Sequence, residues 1–118
     1  MKLSKVCELL DAKVLCCEEG LERDVRSACG SDMMSDVLAF VKDQSILLTC
    51  LVNPQTVRTA QMMDMKCIVF VRGKHPDEST VDLAESNGIM IMETDYRMYT
   101  ACGILYANGL YSEGIDKV

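Results

Sequence analysis

The chain has 118 residues, 49% of them hydrophobic and 25% charged, with 12 Lys and Arg against 18 Asp and Glu for a net charge of −6. That length fits one domain, residues 1–118, burying roughly two-thirds of its unfolded surface, and no apolar run approaches the ~18 residues of a membrane span. The cations are scattered, densest at Arg72-Gly73-Lys74-His75, which argues against nucleic acid as a partner.

The first thirteen residues, MKLSKVCELLDAK, have periodic apolar positions and no small-residue cleavage site, so they are not read as a signal peptide. Leu3, Val6, Leu9 and Leu10 share one helical face, with Ser4 as a cap in the first turn. A strand follows at AKVLCC, then the charged turn EEGLERD broken by Gly20, and a second strand near VRSAC. From Ser31 the apolar residues Met33, Met34, Val37, Leu38, Phe40 and Val41 keep the 3.6-residue period. This predicts a helix capped by Ser31 or Asp32 and ending near Lys42-Asp43.

SILLTCLV is an unbroken apolar run of strand length, as a strand covered on both faces requires. Asn53-Pro54 then pairs a capping residue with a proline at the first helical position, opening a helix through QTVRTAQMMD. KCIVFV is a second continuous strand, and RGKH leads to Pro76, expected to open the helix PDESTVDLAES, which Asn87-Gly88 closes. IMIM forms the last strand. Thr94-Asp95 is expected to cap a final helix, YRMYTACGILYAN, ended by Asn108-Gly109. Regular β-then-α alternation from residue 25 to 109 predicts an α/β fold with three layers, α/β/α, around a mainly parallel central sheet.

In open parallel sheets the ligand crevice lies beyond the carboxyl ends of the strands, where helix N-termini also point. Four turns share that edge: Gly30-Ser31-Asp32, Asn53-Pro54-Gln55, Arg72-Gly73-Lys74 and Glu93-Thr94-Asp95. The candidate ligand-binding residues are therefore Gly30, Ser31, Asp32, Asn53, Arg72, Gly73, Thr94 and Asp95. Ser31, Asp32, Asn53 and Thr94 also have a purely structural reading as caps. Asp32 and Asp36, one helical turn apart, are read as a cap and a solvated residue rather than a catalytic pair. Neither Gly30 nor Gly73 belongs to a dinucleotide or phosphate-loop motif.

Nucleophilic chemistry would fall to Cys29 or Ser31, with His75 as the single available base on a different loop. Cys29, beside a helix N-terminus, is the one thiol position where a lowered pKa is conceivable. The seven cysteines include no C-x-x-C pair. They predict core packing in a reducing cytoplasm, with neither a disulfide framework nor a metal site, and no cofactor is expected.

Three stretches in order, SACGSDMMSDVLAFVKDQSILLTCLVNPQTVRTA, the link QMMDMK, and CIVFVRGKHPDESTVDLAESNGIMIMETDYRMYTA, resemble the DRTGG domain from about Val25 to Ala107. Asn53-Pro54 stand about where Asp-Arg is usual in that family, and Val71-Arg72-Gly73 stand where Thr-Gly-Gly is usual, so only Gly73 is kept. The resemblance implies a fold like the N-terminal domain of HPr kinase/phosphatase. It also implies a non-catalytic regulatory or ligand-sensing module, homodimeric, that binds a small metabolite, a nucleotide or a partner protein at the strand-end rim. The alternatives are a small thiol- or phosphoryl-chemistry enzyme, or an accessory subunit of a metabolic or redox complex.

Overall fold

A computed structural model describes residues 1–40 and 45–112. The expected helix end at Lys42-Asp43 lies outside the described residues. Five strands form one sheet in the order β1-β5-β4-β3-β2, with β1 at Lys13–Cys16, β2 at Ala28–Gly30, β3 at Ile46–Thr49, β4 at Cys67–Phe70 and β5 at Met90–Glu93. β2 to β5 run parallel, Leu47 standing opposite Ile68 and Ile68 opposite Ile91. β1 is antiparallel to β5, with an irregularity between Val14 and Cys16.

Two layers of helix cover the sheet. α1 (Leu3–Leu9) and α5 (Met98–Ala107) lie on one face, where Leu3, Val6, Leu10, Ala101 and Leu105 meet Ile46, Leu48, Val69, Met90 and Met92. On the other face are α2 (Met34–Phe40), α3 (Pro54–Met62) and α4 (Glu78–Ser86), where Val37, Val57, Ala60 and Ala84 meet Leu47, Ile68, Phe70 and Ile91. Alternate residues of each central strand thus enter opposite cores, which explains the unbroken apolar runs. The expected three-layer α/β fold with a mainly parallel sheet is what forms.

Local chemistry sets the element ends. Asn53 Oδ1 accepts from the Thr56 backbone N–H (3.2 Å), with Pro54 at the first helical position, as the sequence predicts. At α4 the helix opens two residues later than expected, at Glu78. Asp77 is the cap, its Oδ1 accepting from Thr80 N–H (2.9 Å), one of the first-turn amides that has no partner within a helix begun at Glu78. Ser4 does not cap α1 either. It lies inside the helix, whose first amides are taken by the carbonyls of Arg23 and Leu21 (3.0 and 2.8 Å).

The expected strand at VRSAC shrinks to Ala28–Gly30 because Val25 is drawn into the core and its N–H bonds the Met1 carbonyl (2.7 Å). SILLTCLV likewise keeps only Ile46–Thr49, since Cys50 N–H leaves the sheet to bond a side chain of the neighbouring turn. Among the described residues no helix is long and apolar enough to cross a membrane.

Candidate functional site

The parallel strands end together, so the turns after β2, β3, β4 and β5 form one rim. Their cross-connections are made mostly by groups that look locally like caps. Asp32 is the first. Its Oδ1 accepts from Thr49 Oγ1 (2.9 Å) and Cys50 N–H (2.8 Å), and its Oδ2 accepts from Cys50 Sγ (3.3 Å). It therefore stitches the β2 turn to the end of β3 instead of capping α2. Ser31 supplies the local turn, its Oγ accepting from Met33 N–H (3.1 Å).

Burial alone would raise the Asp32 carboxyl. The hydrogen bonds from Cys50 N–H, Thr49 hydroxyl and Cys50 thiol, with the Arg72 charge, outweigh it and hold the group below its ordinary 3.8. A lowered folded value means stability that is present above 3.8 and lost as pH falls through that lowered value. Asp32→Asn is accordingly expected to be less stable than the parent at neutral pH. Its further loss in acid should be smaller, as read from denaturant melts taken across that window; equal acid losses would remove Asp32 from this role. Asp77, also held low by Thr80 and Ser79, contributes a loss of the same sign in both proteins.

Thr94 is the second such group. The sequence predicts it as a cap for the last helix, but that helix begins at Met98 after Arg97, with no side-chain cap. Thr94 is buried, 4% exposed, its Oγ1 donating to the Leu10 carbonyl (2.6 Å) and accepting from Tyr96 N–H (3.3 Å). Inward-facing, with its hydroxyl both donating and accepting, it is a tether between the rim and the end of α1. Asp95 is exposed on the same turn.

Gly30 also has a structural explanation. A Cβ there would lie 2.7 Å from Cys102 Sγ and 3.2 Å from Met98 Sδ, so α5 packs where a side chain would stand.

After β4 the chain turns through two consecutive left-handed residues, Arg72 (φ 60°) and Gly73 (φ 66°), closed by Lys74 N–H to the Val71 carbonyl (3.2 Å). Arg72 N–H bonds the Tyr96 carbonyl (2.7 Å) and Gly73 N–H the Thr94 carbonyl (3.0 Å), locking this turn to the one after β5. A Cβ on Gly73 would be strained by its φ and would stand 3.3 Å from Asp95 Oδ1. The side chains of Arg72 and Lys74 are committed to no hydrogen bond or ion pair among the described residues, though their charges act on Cys50 and that of Arg72 on Asp32.

The residues of the enzyme alternative are not brought together. His75 Nδ1 pairs with Glu93 Oε2 (2.8 Å), beside β5, while Ser31 is occupied with its own turn and Cys29 lies in β2. The low thiol pKa conceivable for Cys29 is corrected outright: burial, reinforced by Cys102, pushes it up to about 12. Cys50, closer to the cations, is also raised, first by burial and then by Asp32. All seven cysteines are free, and among the described residues no group of three or more His, Cys, Asp or Glu could hold a metal ion.

The profile of the DRTGG domain matches residues 5–107. The chain belongs to the DRTGG domain family. The match begins well before Val25, so α1 and β1 are part of the DRTGG unit and not an extension of it. A similar solved structure holds the CBS and DRTGG domains of the regulatory region of a Clostridium perfringens pyrophosphatase, complexed with its activator diadenosine tetraphosphate. The TM-score is 0.72 at 15% identity, over 99% of this chain and 55% of that one, so the two share a fold and this chain spans about half of the other's length. Among curated proteins none matches.

In this DRTGG domain Gly73 combines a left-handed backbone with a carboxylate against it. What local sequence could not reveal were Thr49 and Cys50 as the partners of Asp32, 17 and 18 residues away.

Proposed function

We propose that this DRTGG domain is a non-catalytic regulatory module, working as a homodimer, that binds a small anionic metabolite of the nucleotide class at the strand-end rim. One observation carries the reading. On the rim of an acidic protein, Arg72 and Lys74, one residue apart in the same turn, are two cations without a hydrogen bond or ion pair among the described residues. A charge left in that state is available to phosphate oxygens. Arg72 is moreover held in a left-handed conformation that L-residues avoid, a local cost that functional positions tolerate. The complex of the similar pyrophosphatase region with a dinucleoside polyphosphate supports the choice of ligand class.

In this reading Asp32, Gly73 and the Thr94 tether hold the turns in place, and the cations meet the ligand. Binding to the folded state alone stabilises it, by about 2.7 kcal/mol when ligand reaches 100 times its dissociation constant. Thermal melts with diadenosine tetraphosphate, ATP, ADP, AMP and inorganic phosphate should show a rise of several degrees with at least one nucleotide. Lys74→Gln should reduce that rise. If no nucleotide moves the transition at millimolar concentration, the rim is not a nucleotide site.

A further inference from the structure

α5 presents an outer face on which no charge falls. From Met98 to Ser112 the sequence contains no Asp, Glu, Lys or Arg. Ala101 and Leu105 point into the core, whereas Tyr99, Gly103, Tyr106 and Ala107 lie on the solvent side at helical spacing. Tyr99 is 91% exposed, an aromatic side chain that its own chain leaves almost bare. Tyr106 is held in place, its ring meeting Tyr111 edge-on at 4.7 Å between centroids, and Tyr111 is itself fixed by its carbonyl accepting from Ala28 N–H (3.1 Å).

Gly103 supplies an independent observation. Glycine inside a helix is destabilising relative to alanine, so it needs a reason. Here neither backbone nor packing gives one within the chain: its φ is not in the left-handed region, and an added Cβ would meet nothing within 4 Å. A missing side chain at this exposed position leaves room for another helix to approach closely.

Charge then selects the approaching molecule. A two-fold contact sets a surface against its own copy, so a patch of one sign repels itself. On a chain of net charge −6, the uncharged α5 face is where two copies meet without that repulsion. We propose that this face is the homodimer interface. The two α5 helices cross antiparallel at Gly103, and Tyr99 of each copy packs on Tyr106 and Ala107 of the other, in keeping with the enrichment of tyrosine at interfaces. The inference rests on the homodimeric reading above and adds the location.

Sedimentation velocity on the full chain tests it. The parent should be a dimer at micromolar concentration, and Tyr99→Glu and Gly103→Arg should be monomeric with an unchanged circular dichroism spectrum. Gly103→Ala should separate two properties that a structural role would move together. It should raise the melting temperature of the dilute monomer while weakening dimerisation by about tenfold or more. Gln61→Glu, an exposed position on α3, should leave the dimer intact. If Gly103→Arg fails to fold, Tyr99→Glu decides, since that side chain is nearly free of its own chain. A parent that is monomeric at high micromolar concentration overturns this interface together with the homodimeric reading. A dimer that survives Tyr99→Glu, or one that Gln61→Glu disrupts equally, overturns the interface alone.

Discussion

Thr94→Val should destabilise the protein by about 1–3 kcal/mol and lower its melting temperature by several degrees. Valine matches threonine in shape, so the core keeps its packing and the change isolates the hydroxyl. That hydroxyl donates at 2.6 Å to the carbonyl of Leu10, the residue closing α1, and accepts from Tyr96 N–H at 3.3 Å. The Leu10 carbonyl is one of the orphan acceptors at a helix end. Leu10 is fully buried, so water does not replace the lost donor, and the penalty is that of an unsatisfied buried acceptor rather than of an average hydrogen bond. Thr94→Ser, which keeps the oxygen and drops one methyl, should cost less than Thr94→Val. Denaturant melts of the three proteins provide the comparison, and a valine variant as stable as the parent would show that the tether carries no energy. Hydrogen exchange should locate the loss at α1 and at the turn after β5, the two segments joined by the bond.

The same side chain shows where sequence reading stops. The strands of the central sheet are legible because burial on both faces leaves no polar alternation: Ile46–Thr49 and Cys67–Phe70 are wholly buried. Asn53 is legible because its partner, Thr56 N–H, is three residues away. Asp32 and Thr94 are likewise favoured capping residues in equivalent places, yet they reach partners across the fold, up to 84 residues distant for Thr94. Local pattern registers a capping residue in each case and contains nothing about a neighbouring strand's unpaired amide or a distant helix's open carbonyl. The antiparallel edge strand escaped for a related reason. Lys13–Cys16 reads as a strand, but its partner is β5, some 75 residues later, and the direction of pairing is set by tertiary contacts alone. The rim is legible as a place, because parallel strands end together; the division within it, of tethers from uncommitted cations, is set by contacts distant in sequence.

That division is sharpest at Arg72, and Arg72→Gly should raise stability while abolishing the response to nucleotide. The turn holds Arg72 at φ 60°, and an L-residue in that region is disfavoured by about 1–2 kcal/mol, which glycine relieves at an entropic cost of about 0.5–1 kcal/mol. The backbone bonds of the turn, from Arg72 N–H to the Tyr96 carbonyl and from Lys74 N–H to the Val71 carbonyl, need no side chain and survive the change. The attraction between Arg72 and Asp32 is lost, but between exposed, screened groups it is small. The net expectation is a rise in melting temperature of a few degrees at most. At φ 60° Arg72 thus places a cation where the backbone would suit a residue without a side chain. Arg72→Ala separates the two effects: it keeps the Cβ and therefore the strain, but removes the charge, so it should lose the nucleotide response with no gain in stability. Melts with and without nucleotide on both variants give the answer. An Arg72→Gly protein that still responds to nucleotide would place the anion elsewhere. One that is less stable than the parent would mean that the guanidinium holds the turn together rather than waiting for a ligand.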